Sequence, residues 1–167
     1  ATDQTVEVAG GGRPEFSDDS KWAGYLITPS EEERDKLQKA NQPVVVKAEL
    51  RSLAGGPPAV FENVQSIAFT PGSGFFLVKK TKTSKDAKHS GTDLILRNLK
   101  TGLDENIGNV GLFQADKSGS RLAYTVDAAD QAGNGLVIVD LATGARTILD
   151  SDRADYAQLV WDEAGTA

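Results

Sequence analysis

Short apolar runs alternate along this chain with turns rich in Gly, Ser, Asp and Pro, the pattern of half-buried strands joined by tight connections. Four segments align by their turns. They are Phe16-Ser-Asp-Asp-Ser-Lys-Trp-Ala-Gly-Tyr25, Phe69-Thr-Pro-Gly-Ser-Gly-Phe-Phe-Leu-Val78, Ala115-Asp-Lys-Ser-Gly-Ser-Arg-Leu-Ala-Tyr124 and Trp161-Asp-Glu-Ala-Gly-Thr-Ala167. Each has a usually apolar residue and a polar turn, and the first three continue into an apolar strand, which predicts β-hairpins. Their starts lie 53, 46 and 46 residues apart.

A second signal follows the first. Leu53-Ala-Gly-Gly56, Leu99-Lys-Thr-Gly102 and Leu141-Ala-Thr-Gly144 each close an alternating strand, and a further short strand is expected at 58–64, 104–110 and 146–149. Each unit therefore reads as four strands, A to D, with tight A–B and C–D turns and a longer B–C connection. Repeats of about 40–50 residues with several strands each indicate β-propeller blades. The predicted fold is all-β: a partial propeller of about three four-stranded antiparallel blades with pieces of two more and one short helical insertion. The expected division is 1–10 (outer strand of a preceding blade, formed by 4–9), 11–64, 65–110, 111–156, and 157–167 as the start of the next blade. Propellers close with about four to eight blades, so sequence is expected on both sides of this chain. The start at Ala1 without Met fits processing or a longer gene. Blade faces without a neighbour invite pairing, which predicts self-association through the open blade edges.

The first B–C connection carries the insertion. Residues 29–40 have a helix-start signal, with Thr28 as cap, Pro29 at the first helical position, acidic residues early and Lys late. Glu32–Lys36 and Asp35–Lys39 are favourable i,i+4 pairs. Leu37 is almost the only large apolar residue, so the helix belongs on the surface. The long connections 29–43, 80–90 and 127–134 share one end of the predicted fold. Loops on a rigid scaffold often carry function; the insertion reads equally as a partner-facing loop or a tolerated surface addition.

Composition narrows the function classes. The net charge is −6 with a pI near 4.8, which argues against a nucleic-acid binder. The longest basic stretch, Lys79, Lys80, Lys82, Lys85 and Lys88, also holds Asp86 and reads as a solvated loop. There is no cysteine, hence no disulfide or thiolate site. No apolar run approaches the roughly 18 residues that cross a membrane, and no membrane partner is expected. The sequence leaves the compartment open and leans to an extracytoplasmic one, periplasmic or secreted.

Catalytic signals are sparse. The only histidine, His89, sits in a Lys- and Ser-rich loop, and Gly72-Ser-Gly74 lacks the first glycine of a nucleophile elbow. No catalytic residue and no cofactor is expected. Asp150, Asp152 and Asp155 approach the spacing of a calcium loop, without its glycine or distal glutamate, and read as turn formers with calcium as the alternative. Asp18-Asp19 occupies the slot of Pro71-Gly72 and Lys117-Ser118 and reads as turn chemistry. Glu31-Glu32-Glu33 reads as a solvated helix start. Trp22, Tyr25, Phe75, Phe76 and Tyr124 share the B-strand slots and read as core between blades rather than a ligand cage.

The first hairpin resembles the Phe-Ser-Pro-Asp-Gly-Lys-Trp-hydrophobic-Ala-Tyr hairpin of TolB-like propeller repeats, which also build the N-terminal propellers of the prolyl oligopeptidase family of serine peptidases. Gly91-Thr-Asp-Leu-Ile-Leu-Arg-Asn-Leu-Lys-Thr-Gly102 and Asn134-Gly-Leu-Val-Ile-Val-Asp-Leu-Ala-Thr-Gly144, with Trp161-Asp-Glu-Ala-Gly165, look like blades of bacterial members of that family. The resemblance implies a non-catalytic propeller segment that gates substrate access to, or packs against, an α/β-hydrolase domain outside this chain. Its partners would be that domain or a peptide substrate. The alternative it implies is a TolB-like periplasmic scaffold that binds proteins, and a third is a ligand-binding sensor or lyase propeller. Ala115 in place of a large anchor and Pro71-Gly-Ser-Gly74 in place of an Asp-Gly turn depart from the pattern.

Overall fold

The computed structural model describes residues 5–82 and 88–162. Its strands are β1 (Gly11–Phe16), β2 (Trp22–Ile27), β3 (Lys47–Ser52), β4 (Ala59–Phe61), β5 (Val64–Phe69), β6 (Phe75–Lys80), β7 (Thr92–Asn98), β8 (Asp104–Ala115), β9 (Arg121–Val126), β10 (Gly135–Asp140) and β11 (Arg146–Asp150). One helix, α1 (Glu31–Lys39), interrupts them. Strands β1 to β4 form one antiparallel sheet in sequence order, and β5 to β11 form a second.

The seven-stranded sheet is two four-stranded units that share β8. Asp104 to Val110 pair with β7, and Val110 to Ala115 pair with β9. The expected strand at 104–110 thus runs on into the next hairpin without a break. By contrast, only Ala59–Phe61 of the expected 58–64 strand forms, and Glu62-Asn63 separates it from β5.

Each A–B hairpin is closed by the same device. The residue after the anchor carries a side-chain acceptor that takes the amide five positions on: Ser17 Oγ from Trp22 (3.0 Å), Thr70 Oγ1 from Phe75 (3.0 Å), Asp116 Oδ1 from Arg121 (2.9 Å). The backbone answers in reverse, with the amides of Ser17, Thr70 and Asp116 donating to the carbonyls of Trp22, Phe75 and Arg121. All three acceptors are buried. Burial pushes the Asp116 carboxyl up, but hydrogen bonds from Ser118, Arg121 and Ser120 outweigh it and hold the group below its ordinary value. The later C–D turns use Asx chemistry. Asn98 Oδ1 accepts from Lys100 and Thr101, and Asp140 Oδ1 from Ala142 and Thr143. Gly102 and Gly144 then take positive φ and return the chain.

Packing follows from β6, whose run Phe-Phe-Leu-Val is apolar on both faces. Phe76 and Val78 enter one core with Leu26, Ala48, Leu50, Phe61, Val64 and Ile67. Leu77 enters the other, with Leu94, Leu96, Leu122, Tyr124, Val137 and Val139. The Phe76 ring lies 4.9 Å from that of Phe69 and 6.1 Å from that of Phe61, centroid to centroid. It fits against the first sheet because residue 24 is glycine: a Cβ there would stand 2.5 Å from the ring. The turns of neighbouring units also touch. Gly72 N donates to Asp18 Oδ2 (2.8 Å) and Asp19 N to Ser73 Oγ (3.2 Å). Asp18-Asp19 is therefore a link between units as well as turn chemistry.

Several expectations are corrected. Helix α1 is capped by Ser30, not Thr28. Ser30 Oγ accepts from Glu33 N (3.2 Å) and the Glu33 carboxylate accepts from Ser30 N (3.0 Å), a reciprocal capping box that Thr28 cannot make. The Glu32–Lys36 pair closes at 2.7 Å; Asp35 and Lys39 form no ion pair among the described residues. No strand forms over residues 5–9, because a strand needs a neighbour's ladder and no strand among the described residues pairs with them. Residues 157–162 form no strand either, and 163–167 of the fourth hairpin lie outside the described residues. Phe76 and Tyr124 are buried as core, and Trp22 and Phe75 pack at core margins. Tyr25 instead faces away from β5, where its hydroxyl donates to Glu49 (2.5 Å) and accepts from Arg51 (3.2 Å). Phe16 is 62% exposed on that same face.

Two substitutions test this account by urea denaturation. Thr70→Val keeps the shape but strands the buried Phe75 amide, and is expected to cost about 1–3 kcal/mol. Gly24→Ala drives a methyl into the Phe76 ring and is expected to cost about 1–3 kcal/mol. Wild-type stability in both would refute the role given to these contacts.

Candidate functional site

The long connections gather at one end because each unit turns there in the same way. Gly10, Asn63 and Asn109 each take positive φ just before an A strand. The carbonyl of each accepts the amide 18 residues on, from Thr28 (3.0 Å), Thr81 (2.7 Å) and Asp127 (2.8 Å). Those amides follow the B strands, so every B–C connection starts beside a D–A junction. Glycine and asparagine tolerate this conformation best.

In the first unit, α1 folds over this end. A cavity of about 630 Å³ lies between the helix and the junction, lined by Ala9, Ile27, Pro29, Leu37 and Val45 with Lys36 and Lys47 at its margin. Lys36 pairs with Glu32 and Lys47 with Glu62. Leu37 is half-buried and no helix residue is buried, as its polar composition requires.

The middle and third units meet at Ser90 and Asp127. Asp127 Oδ2 accepts from the Ser90 amide (2.7 Å) and from the Ser90 hydroxyl. Burial pushes the Asp127 carboxyl up, and the hydrogen bonds from Ser90, with His89 and Lys82 nearby, more than reverse it. His89 is half-buried, and its Nδ1 is buried without a hydrogen-bond partner. Ser90 gives its proton to a carboxylate rather than to an imidazole, so these three residues do not form a Ser-His-Asp relay. A depression of about 510 Å³ opens here, lined by Gln65, Thr81, Lys82, Lys88, His89, Ser90 and Thr92. A second, of about 410 Å³, lies on the other side of Ser90 toward Asp155 and Tyr156.

Lys79 corrects the reading of 79–88 as a solvated stretch. It is the inward-facing continuation of β6, 5% exposed, and its Nζ donates to the carbonyl of Val110, with that of Thr92 at 3.5 Å. Burial pushes its pKa down to about 8 against the pull of Asp127 and Asp93. The signal lay in the unbroken run Phe-Phe-Leu-Val before it, which marks a strand covered on both faces. Lys80 donates to the Glu62 carbonyl, and Lys85 and Asp86 lie outside the described residues. Ser90 and Asp127 were not singled out by sequence, because only the fold brings residues 37 positions apart together.

The three calcium candidates go separate ways. Asp150 accepts from Tyr156 (2.8 Å), Asp152 from the Arg153 amide (2.7 Å) and Asp155 from Gln131 (2.9 Å). No group of three acidic or histidine side chains among the described residues converges to hold a metal ion.

Among solved structures, the β-propeller domain of the Trilobed protease from Pyrococcus furiosus, described as having an open velcro topology, matches 88% of this chain with a TM-score of 0.55 at 12% identity. The chain folds as part of a β-propeller. An acylaminoacyl peptidase from Pyrococcus horikoshii matches 87% of the chain with a TM-score of 0.50 at 12% identity. TolB from Acinetobacter baumannii matches 84% with a TM-score of 0.44 at 13% identity, covering 32% of that chain. Identity this low speaks to fold alone. This chain spans 44% and 25% of the first two neighbours, less than half of either. No protein-family model and no curated protein matches the sequence. The expected propeller fold thus meets neighbours of that fold among peptidases.

Lys79 makes a pH prediction. The unfolded chain holds the lysine proton up to 10.5 whereas the blade releases it near 8, so unfolding takes up a proton between those values and stability rises with pH there. All three tyrosines are raised above their ordinary 10.0, chiefly by burial for Tyr25 and Tyr124 and by the hydrogen bond to Asp150 for Tyr156, so they act at the upper edge of this window and in the opposite sense. Denaturation midpoints measured across that window should climb in the wild type and flatten in Lys79→Met. An equal climb in both would remove Lys79 as the source.

Proposed function

We propose that this chain is a non-catalytic propeller segment that gates substrate access to, or packs against, a serine peptidase domain lying outside it. The observation that carries the reading is the match over 88% of the chain to a propeller domain named as part of a protease. Two features support it. The only histidine has no hydrogen-bond partner at its Nδ1, and the serine that follows it, Ser90, is committed to Asp127. The connections that differ most between blades, α1 above all, crowd one end of the sheets, where a neighbouring domain or an incoming peptide would meet them. Peptide selection would then be a matter of what passes the loops, with the chemistry done elsewhere.

A fluorophosphonate serine-hydrolase probe applied to this chain and to its full-length parent tests the reading. The parent should label and this chain should not. In the parent, shortening 29–43 to a turn should change cleavage of long peptides relative to a small ester, while ester turnover stays within about twofold. A parent that does not label would favour the protein-binding scaffold reading and end the peptidase one.

A further inference from the structure

We propose that Asn134-Gly135 is a modification site: an asparagine that deamidates when the B–C connection of the third blade opens, and so unfastens residues 151–157 from that end of the sheet. This role is separate from the peptidase reading. It is the only Asn-Gly pair in the sequence. In such a pair the backbone nitrogen reaches the asparagine side chain unhindered, because glycine has no Cβ. The Gly135 nitrogen bonds to Asn134 Cγ and gives up its proton, the Cγ–Nδ2 bond breaks, and ammonia leaves. Water then opens the succinimide ring at one of its carbonyls, giving aspartate or isoaspartate. The step needs no oxidant and no second reactant besides water.

The fold needs both residues of the pair and holds them where they do not react. Asn134 is 2% exposed. Its Oδ1 accepts from the Ala128 amide (2.8 Å) and its Nδ2 donates to the Ala154 carbonyl (3.0 Å), so one side chain clips the 127–134 connection to the segment that follows β11. Gln131 adds a second tie, with Nε2 donating to Asp155 Oδ1 (2.9 Å). Gly135 lies in β10 opposite Val126, where a Cβ would stand 2.5 Å from the Asp150 carbonyl. The reactive neighbour is therefore one that the blade requires. The clip closes a strained connection, since Asp130 and Gln131 take φ of 58° and 56° in succession. The product does not fit the place of its parent. A carboxylate cannot donate to the Ala154 carbonyl, so the tie is lost and two buried acceptors face each other. Asp152 and Asp155, on either side of Ala154, add like charge.

Peptide mapping by mass spectrometry of the chain, aged in mildly alkaline buffer and in the same buffer with denaturing urea, reads the reaction. Conversion at Asn134 should run at least about tenfold slower in the folded chain, where it waits on local opening. Gln131→Ala removes the second tie and should hasten conversion in buffer. Trypsin reads the consequence. Asn134→Asp, the chemical product, should be cut after the exposed Arg153 several times faster than the wild type, with cutting after the exposed Lys39 of α1 unchanged. Equal conversion in buffer and urea, no change with Gln131→Ala, or a gain at Arg153 no greater than that at Lys39 would overturn the proposal. The buffer and urea comparison uses the wild type alone and stands should either variant fail to fold.

Discussion

Everything in this chain hangs from a buried oxygen at the start of each blade's first turn. Ser17, Thr70 and Asp116 each clamp an amide five residues on, and each is shielded from water where the clamp forms. Exposed, such a bond would trade evenly with solvent; buried, its loss leaves a donor unsatisfied. The clamp fixes where strand B begins. That in turn decides which of its side chains face each neighbour, because a slip of one residue exchanges the two faces. Phe76 enters the core beneath the first sheet, and Leu77 the one beneath the third blade, only in this register.

Stacking between blades combines a broad apolar contact with a narrow polar one. The cores fill the space between strands, while the turns dock through Asp18 on Gly72 and Ser73 on Asp19. Between the middle and third blades the turns come closer still: a Cβ on Gly119 would stand 1.8 Å from the Pro71 carbonyl. Small residues and short acceptors at the turns let the blades converge at that end. At the other end, the left-handed Gly10, Asn63 and Asn109 leave room for long connections. The result is a scaffold with one constrained end and one variable end, and both candidate hollows of the middle blade open at the variable one.

Much of the architecture was legible in sequence, because turn chemistry and alternation act locally. The hairpins at 16–25, 69–78 and 115–124, the Asn98 and Asp140 turns and the presence of a helix after Pro29 all follow from short windows. What escaped was set by partners distant in sequence or absent. The clamp residue is Ser, Thr or Asp in turn, so its shared role is invisible as a motif. Lys79 looked solvated because Lys80, Lys82 and Lys88 follow it, and its burial depends on the Val110 carbonyl 31 residues away. The cap at Ser30 is a local signal too, since Ser30 and Glu33 have the spacing of a capping box, and it outweighs Thr28-Pro29. Residues 5–9 have strand-like alternation, yet pairing decides whether such a segment becomes a strand. The candidate site was the least legible part, since Ser90 and Asp127 become neighbours only through β7, β8 and β9.

The continuity of β8 sets how the chain comes apart. A single strand of 12 residues serves as the last of one blade and the first of the next. These two blades therefore share a covalent and hydrogen-bonded spine, and opening one frays the other. The first blade has no such spine. It is tied to its neighbour by the Glu62-Asn63 step, by the core that Leu26, Ala48, Leu50 and Phe61 form with Val64, Ile67, Phe76 and Val78, and by two turn contacts. The repeat that looks uniform in sequence is thus joined in two ways: a two-blade block held by a common strand, and a leading blade held to it by side-chain packing and turn contacts.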